Sequence, residues 1–342
     1  MMKENPAYSS ASPEGDSHSV DCAQKHEYEH GHEHVRGHGE KHGHGHGGRG
    51  HVPGSGFWRR RKGQTGFSIF LRRFLRQKMA LACFIVLVAL IAICAFAPLI
   101  APYDMATMDL TAISQSPSAD HLFGTDDLGR DIFSRCLYGG RYSLAIGFLS
   151  TALALVIGIV IGACSAYFGG MADLILMRVL DLLSAMPSIL LAIAISAVLG
   201  TGFDKLLIAL SISAIVPYAR QLRAKMLAVS QMEYVEAARA INCSIPRIMF
   251  IHVFPNAMTP VIVAATMGVA QQILSAATLA YIGLGVRPPS PEWGAMLAAA
   301  KTYIIQYPYM LIGPGVLIVI SVLCINLVGD GIRDALDPKM KR

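Results

Sequence analysis

The residues with the most evident chemistry are histidines near the N-terminus. Nine of them lie between His26 and His51 at spacings of two to five residues. The densest part contains His30, His32, His34, His42, His44 and His46. Because zinc, nickel and copper favour imidazole nitrogen, the tract predicts transition-metal binding for storage or sensing. An equal alternative is a solvated tract that binds metal adventitiously, since it offers affinity without fixed geometry.

Charged residues also cluster between positions 121 and 141, where carboxylates could bind a cation. The cluster contains Asp126, Asp127, Asp131, Arg130, Arg135 and Arg141. Because the arginines nearly balance the aspartates, no excess negative field remains to hold a metal ion. We therefore expect a structural cluster of ion pairs.

Phosphate-binding chemistry is not evident in the sequence, which contains no Gly-rich loop ending in Gly-Lys-Ser or Gly-Lys-Thr. We therefore expect no catalytic residue and no enzymatic activity in this chain alone.

The composition indicates a membrane protein. Of 342 residues, 53% are hydrophobic and 15% are charged, which is too apolar for a typical soluble protein of this length. The net charge of +6 is concentrated near the ends of apolar segments, a distribution that membrane orientation explains better than nucleic-acid binding. The seven cysteines include no Cys-x-x-Cys pair, so we expect the cysteines to serve as small residues in the protein core.

Changes in composition divide the chain into segments with different expected environments. They are a His-rich cytoplasmic tail at 1–56, a basic and aromatic interfacial segment at 57–78, a first transmembrane helix at 79–101, an extracytoplasmic segment at 102–141, a core transmembrane domain at 142–330 that contains a polar loop at 230–255, and a cytoplasmic C-terminal tail at 331–342. The tail at 1–56 has almost no large aliphatic side chains, so we expect it to be disordered.

Apolar runs predict six transmembrane helices. They lie at 79–97, 143–167, 174–199, from 206 onward through Pro217, 258–284 and 310–328. Gly158 and Gly162 form a small-residue contact face on the second helix. Pro187 is expected to kink the third helix or to mark the start of its membrane part. Gln271 and Gln272 in the fifth are costly against lipid, so we predict that they face the bundle interior or a pore, and they are our pore candidates.

The polar loop between the fourth and fifth spans predicts a helix, a sharp turn and a second helix. Ser230 and Glu233 have the spacing of a capping box, which predicts a helix start. Asn242 tolerates the left-handed conformation that ends many helices. Ser244 followed by Pro246 predicts the second start.

The same loop resembles the EAA loop of binding-protein-dependent ABC importer permeases. The resemblance is carried by Glu236-Ala237-Ala238, a turn residue four positions on, and Phe254-Pro255, although the family usually has Gly where this chain has Asn242. Three further blocks, at 121–131, 288–294 and 329–338, are similar to the dipeptide, oligopeptide and nickel branch of that family. The resemblance covers about residues 70 to 342.

The resemblance implies an all-α integral membrane protein with the six transmembrane helices of the type I ABC importer permease fold. It implies no cofactor in this chain, with ATP and Mg on two separate ATP-binding subunits that drive alternating access. Other implied partners are a second homologous permease subunit, an extracytoplasmic substrate-binding protein and membrane lipid, without nucleic acid. The implied location is the bacterial inner membrane, with both termini cytoplasmic. The residues expected to contact the ATP-binding subunit are Glu233, Glu236, Ala237, Ala238, Arg239, Asn242 and Ser244.

The substrate is open between two members of this branch. Import of dipeptides or oligopeptides is our first choice, and import of nickel or another metal chelate is the alternative that the His-rich tail favours. A proton-coupled secondary transporter would need ionisable residues inside the spans, which are nearly free of them. A metal-sensing receptor would need an output module, and nothing that resembles one follows the tail.

Overall fold

The computed structural model describes residues 66–336, and among these every regular element is a helix. The His-rich tail, the first part of the interfacial segment and residues 337–342 lie outside the described residues. The helices are α1 (Gly66–Arg76), α2 (Lys78–Ala95), α3 (Ala97–Ile100), α4 (Ile132–Phe168), α5 (Gly170–Ser184), α6 (Ser188–Leu199), α7 (Phe203–Ser230), α8 (Glu233–Ala240), α9 (Ile245–Arg247), a π-helical segment (Ile248–Val253), α10 (Phe254–Tyr281), α11 (Trp293–Ala300), a 3₁₀ turn (Lys301–Tyr303) and α12 (Tyr309–Leu336).

The long apolar helices agree with the six predicted spans. Among the described residues, five stretches are long and apolar enough to cross a membrane, namely α2, α4, α7, the stretch Ile245–Tyr281 and α12. The pair α5 and α6 supplies a sixth when it is counted as one span. As predicted, α7 continues through Pro217, and α10 and α12 also contain an internal proline.

The third predicted span, 174–199, is not one continuous helix. The prediction included a kink at Pro187 but not a break into two helices. The chain bends by 85° between α5 and α6, where Pro187 precedes the first residue of α6. Proline lacks the backbone N–H that would continue the hydrogen bonds of α5, and it disfavours a helical conformation at the residue before it. The predicted kink at Pro187 is therefore a break between two helices.

Helix α4 begins eleven residues earlier than the predicted span at 143. The side chain of Asp131 accepts a hydrogen bond from the backbone N–H of Ser134 at 2.7 Å and so caps the first turn. The Asp131 carboxylate also lies 3.0 Å from Nδ1 of His121. Because the cap lies before the apolar run, hydrophobic patterning alone placed the helix start too late.

The predicted structural cluster of charges is confirmed at the start of α4. The Nε atoms of Arg130 and Arg135 lie 2.7 and 3.6 Å from Oδ2 of Asp126, and all three side chains are largely buried. Within residues 66–336, no group of three or more His, Cys, Asp or Glu side chains could hold a metal ion. The cluster thus holds the segment that precedes α4 against the start of that helix.

Helices α4 and α7 form the centre of the bundle, and the predicted small-residue face makes their contact. A Cβ atom added to Gly158 would lie 2.8 Å from Cβ of Tyr218, and one added to Gly162 would lie 2.5 Å from the carbonyl oxygen of Ala219. The two backbones are therefore too close for a larger residue, as in other small-residue contacts between membrane helices.

Candidate functional site: an exposed helix-turn-helix and a polar transmembrane cavity

Helix α8 packs against the bundle with an apolar face, and its opposite face is polar and exposed. Val235 is fully buried and Ala238 is 8% exposed, and both pack in the core formed by α4, α7 and α10. The remaining residues of the predicted contact set on this helix are exposed, namely Glu233, Glu236, Ala237 and Arg239. We expected Ala238 at the surface that contacts the partner. Its side chain instead packs against the bundle and so anchors α8 to its own chain.

The turn after α8 has the predicted left-handed residue. Asn242 has a φ angle of 62°. Its N–H donates to the carbonyl of Arg239 at 2.9 Å, and the N–H of Cys243 donates to the carbonyl of Ala238 at 3.1 Å. These two bonds form a Schellman motif, in which a left-handed residue satisfies the last carbonyls of a helix. Asn fills the position usually taken by glycine because its short polar side chain tolerates this conformation.

The predicted capping box at the start of α8 is wrong. Helix α7 runs through Ser230, whose hydroxyl donates to the carbonyl of Leu227 at 2.7 Å, as serines inside helices commonly do. Met232 occupies the position before α8 and makes no side-chain capping bond. The second start is correct in position, since Ser244 precedes α9 with Pro246 in its first turn, but Ser244 also makes no side-chain capping bond.

Exposed apolar side chains surround the turn, which is unusual for a segment rich in charges. Ile241 is 76% exposed, Ile245 is 69% exposed and Tyr234 is 42% exposed. An apolar patch bordered by charged residues is typical of a protein interaction surface. We refer to the exposed residues of α8, the turn and α9 as the coupling surface.

A cavity of about 410 Å³, lined by apolar and polar side chains, lies between α6, α7 and α10. Both predicted pore residues, Gln271 and Gln272, line it, together with Ser213, Ser275 and Tyr218. Gln272 is buried, and its Oε1 atom has no hydrogen-bond partner among the described residues. The structure therefore brings these two glutamines to one polar space inside the bundle.

A second cavity of about 780 Å³ continues along α7 and α10 towards the coupling surface. It shares Gln221 and Ala264 with the first cavity and also contacts Lys225, Asn256 and Arg333. The two cavities therefore adjoin each other along α7 and α10.

Two ion pairs tie α5 to α7. Arg223 pairs with Asp173 through two hydrogen bonds of 2.5 and 2.6 Å, and Arg220 pairs with Asp181 at 2.7 Å. Arg178 also lies 3.6 Å from Asp181, three residues further along the same helix. The hydroxyl of Ser165 on α4 donates to the Asp173 carboxylate.

The ion pairs between α5 and α7 were missed by sequence reasoning. The apolar pattern of the spans gives no partner for Arg220 or Arg223. The one sequence feature that could have indicated these pairs is Asp173, an acidic residue directly after the short turn that follows α4. Its partner is 50 residues away, a separation at which hydrophobic patterning gives no pairing information.

A bundle of helices long and apolar enough to span a membrane, with a cavity among them and a short exposed helix at one end, is the architecture of the membrane subunit of a transporter. The chain belongs to the family of binding-protein-dependent transport system inner membrane components, whose family model matches residues 154–342. Residues 66–117 also match the N-terminal transmembrane domain of oligopeptide transport permease C. The chain is thus a multi-pass inner-membrane permease component of an ABC importer.

Known proteins similar to the chain include two peptide permeases. The chain is 42% identical to the glutathione transport system permease protein GsiD of Pectobacterium atrosepticum, over 81% of this chain and 93% of that protein. It is 42% identical to the dipeptide transport system permease protein DppC of Alkalihalophilus pseudofirmus, over 78% of this chain and 88% of that protein.

A solved structure supports the fold. An inward-facing form of the MetNI methionine ABC transporter matches with a TM-score of 0.50 and 20% identity, over 60% of this chain and 98% of that chain.

Proposed function

We propose that this chain moves short peptides inward as one half of the transmembrane path of an ATP-driven importer. The proposal rests on the permeases it resembles, which are named for dipeptide and glutathione transport. It also rests on the chemistry of the cavity, because none of the described residues that line it carries a charge or a metal-ligating thiol or imidazole. Such a lining suits neutral amide groups better than a bare metal ion.

The observation that carries the coupling mechanism is the anchored but exposed helix α8. Val235 and Ala238 fix the helix to α7 and α10, while Glu233, Glu236 and Arg239 stay free to contact an ATP-binding subunit. When that subunit moves on binding and hydrolysing ATP with Mg, the buried side of α8 transmits the movement to the helices that line the cavity. The coupling surface needs to bias a two-state equilibrium by only a few kcal/mol.

The complete importer contains further subunits in this proposal. They are a second homologous permease, which makes the complex a heterodimer in the membrane, two ATP-binding subunits and an extracytoplasmic substrate-binding protein. The coupling surface and both chain termini then face the cytoplasm, which also places the basic residues Arg72, Arg76 and Lys78 of the first two helices on the inner side, as the positive-inside rule requires.

The test is ATP-dependent uptake of a labelled dipeptide by proteoliposomes that contain the complete transporter. Glu236→Lys reverses a charge on the coupling surface and should abolish uptake while the subunit still inserts and assembles. Asp204→Lys reverses an exposed charge at the opposite end of α7 and serves as the matched control. Full uptake in the Glu236→Lys variant would contradict the coupling role, and absence of peptide uptake by the wild type would contradict the substrate.

The His-rich tract is a proposed metal-binding accessory, separate from the transport path. Its residues lie outside the described part of the chain, so the proposal rests on their type and spacing alone. Nickel uptake that collapses when residues 1–56 are removed, without peptide uptake in either form, would replace peptide with metal as the substrate.

A further inference from the structure

The second cavity differs from the first in carrying positive charge. Its volume of about 780 Å³ lies within the range of about 300–1,000 Å³ that small-molecule sites occupy. Lys225 of α7 and Arg333 of α12 line it, and Thr259 of α10 contributes a hydroxyl. Among the described residues, its lining contains no aspartate or glutamate. The second cavity therefore has a positive lining, whereas the described lining of the first is neutral.

The basic groups of this cavity have no acidic partner, in contrast to their neighbours on α7. Arg220 and Arg223, which precede Lys225 on that helix, each pair with an aspartate of α5. Within residues 66–336, neither Lys225 nor Arg333 forms an ion pair. The Thr259 hydroxyl likewise makes no hydrogen bond within that range. Three side-chain donors, two of them cationic, are thus available to a ligand in one cavity.

Membrane orientation alone does not explain this arrangement. The positive-inside rule accounts for basic residues near the inner ends of spans, but it does not require Lys225 and Arg333, from two helices far apart in the sequence, to line the same cavity. The aspartates nearest to Arg333 on α12, Asp330 and Asp334, do not line the cavity and do not pair with it. The two cations therefore leave a positive field directed at the cavity.

We propose that Lys225 and Arg333 bind the C-terminal carboxylate of the transported peptide, with the Thr259 hydroxyl as a further donor. The proposal rests on the function proposed above and adds the chemical group that the membrane subunit binds. A carboxylate accepts hydrogen bonds from ammonium, guanidinium and hydroxyl groups, and the bonds from the two cations are charge-assisted. Because linear peptides carry this group whatever their side chains, such a site accepts many sequences.

The location of the second cavity suits a site at the inner end of the transport path. The Asn256 amide nitrogen, on its wall, lies 3.2 Å from the hydroxyl of Tyr234 on the coupling surface. In the proposed orientation this end faces the cytoplasm. Lys225 and Arg333 are both exposed, so water enters the cavity and the ammonium group of the peptide stays hydrated there. Solvent screening also weakens ion pairs with exposed cations, which allows the peptide to leave.

The first measurement probes the field in the cavity through a thiol introduced by Met267→Cys, at an exposed residue of the cavity lining. The complete transporter, in phosphatidylcholine nanodiscs without ATP, reacts with a sulfonate-bearing or a trimethylammonium-bearing methanethiosulfonate. The readout is the ratio of the two rates, after subtraction of the rates without the introduced thiol. We expect Lys225→Gln with Arg333→Gln to lower the preference for the anionic reagent several-fold. Arg141→Gln, at an exposed residue near the other end of α4, is the matched control and should leave the ratio unchanged.

The second measurement is protection of the same thiol by a dipeptide. Alanyl-alanine is compared with alanyl-alanine amide, which lacks the carboxylate, at increasing concentrations of each. We expect alanyl-alanine to reach half-protection at a concentration about 10-fold lower, the effect of one hydrogen bond to a charged group. The double variant Lys225→Gln with Arg333→Gln should bring the two concentrations together. Because the comparison of the two peptides needs no change at either cation, it tests the site even if the double variant assembles poorly.

Three results would overturn the site. Equal protection by the two peptides, or protection by neither, would exclude carboxylate binding. No preference for the anionic reagent would mean that a partner subunit neutralises the two cations. An anionic lipid headgroup offers the same chemistry, so phosphatidylglycerol that slows the anionic reagent and abolishes protection by alanyl-alanine would assign the site to lipid.

Failure of the peptide-import function has a separate signature. It is the absence of ATP-dependent alanyl-alanine uptake by proteoliposomes with the wild-type transporter and its binding protein. Normal uptake without carboxylate-dependent protection would overturn only the site at Lys225 and Arg333 and leave peptide import standing.

Discussion

Arg223 on α7 holds Asp173 on α5 through a bidentate ion pair, with Nε and Nη2 at 2.5 and 2.6 Å from the two carboxylate oxygens. A guanidinium fork fixes the orientation of a carboxylate as well as its distance. Helix α7 leads directly into the coupling surface, and α5 leads through the 85° bend into α6, which lines the cavity. In the mechanism proposed above, the pair joins the helix that precedes the coupling surface to the helix that precedes α6.

Breaking this pair should uncouple ATP hydrolysis from transport. We expect Arg223→Glu to reduce peptide uptake several-fold more than ATP hydrolysis, because α7 can then move without carrying α5. The double variant Arg223→Asp with Asp173→Arg should restore part of the coupling, since it recreates an attraction between the same helices. The measurement is the number of peptides imported per ATP hydrolysed. A double variant no better than Arg223→Glu would show that the pair is not the link.

Neighbouring alanines in α8 should respond in opposite ways to the same substitution. Ala238 is 8% exposed and packs in the core, so Ala238→Trp overfills it at a cost of about 1–3 kcal/mol and should reduce the amount of folded protein. Ala237 is exposed, so Ala237→Trp should fold normally and impair only docking of the ATP-binding subunit. Thermal stability in detergent and uptake per ATP separate these effects. Equal stability losses in both variants would contradict the orientation of α8.

Sequence patterns located the transmembrane spans well because the thickness of the membrane fixes the length of apolar sequence that a span requires. A run of about 20 apolar residues is long enough to cross the membrane as a helix, and α2 follows its predicted run closely, whereas α12 continues past the predicted end at 328 to Leu336. The turn at Asn242 was also predictable, since few residues tolerate a left-handed conformation. The two pore candidates, Gln271 and Gln272, proved to line the same cavity because a polar residue in an apolar span needs a polar neighbour.

Contacts between distant segments explain the errors. The start of α4 depends on Asp131, whose cap is supported by His121, and no apolar pattern extends that far. The capping box predicted at Ser230 and Glu233 is wrong because Ser230 is the last residue of α7 and is therefore not free to cap α8. Ala238 was assigned to a partner surface because a small residue suits close docking, and the same property suits close packing within the chain. Sequence spacing cannot distinguish these two uses.

The contact between α4 and α7 should tolerate no side chain at Gly162. The added Cβ of Gly162→Ala would lie 2.5 Å from the carbonyl oxygen of Ala219, a backbone atom that cannot rotate away. We expect a stability loss of about 1–3 kcal/mol from this overpacking. Gly315→Ala in α12 is the control, because its Cβ would have no neighbour closer than 4.0 Å and alanine favours helix by up to about 1 kcal/mol. Thermal unfolding in detergent measures the stability of both variants. Equal unfolding temperatures would mean that α4 and α7 can move apart to accept the added methyl group without a loss of stability.

The end of the bundle opposite the coupling surface contains a buried carboxyl group that should make stability depend on pH. Glu292 lies in the connection before α11 and is 1% exposed. Its Oε1 accepts from the Gly294 N–H and the Ser143 hydroxyl at 2.9 and 3.0 Å, and its Oε2 accepts from the Ala295 N–H at 2.7 Å. Burial raises the pKa of Glu292, and these three donors offset the rise only in part.

The sign of the pH dependence follows from the direction of that pKa shift. Between the ordinary glutamate pKa of about 4.3 and the raised pKa in the folded protein, the folded state binds more protons than the unfolded state. Stability should therefore be highest at the acid end of this window and fall as pH rises through the folded pKa. Glu292→Gln carries no charge at any pH and should flatten the plot of unfolding temperature against pH. Glu236→Gln, at an exposed carboxylate on α8, should leave the slope as in the wild type. A wild-type slope in Glu292→Gln would mean that another group causes the dependence.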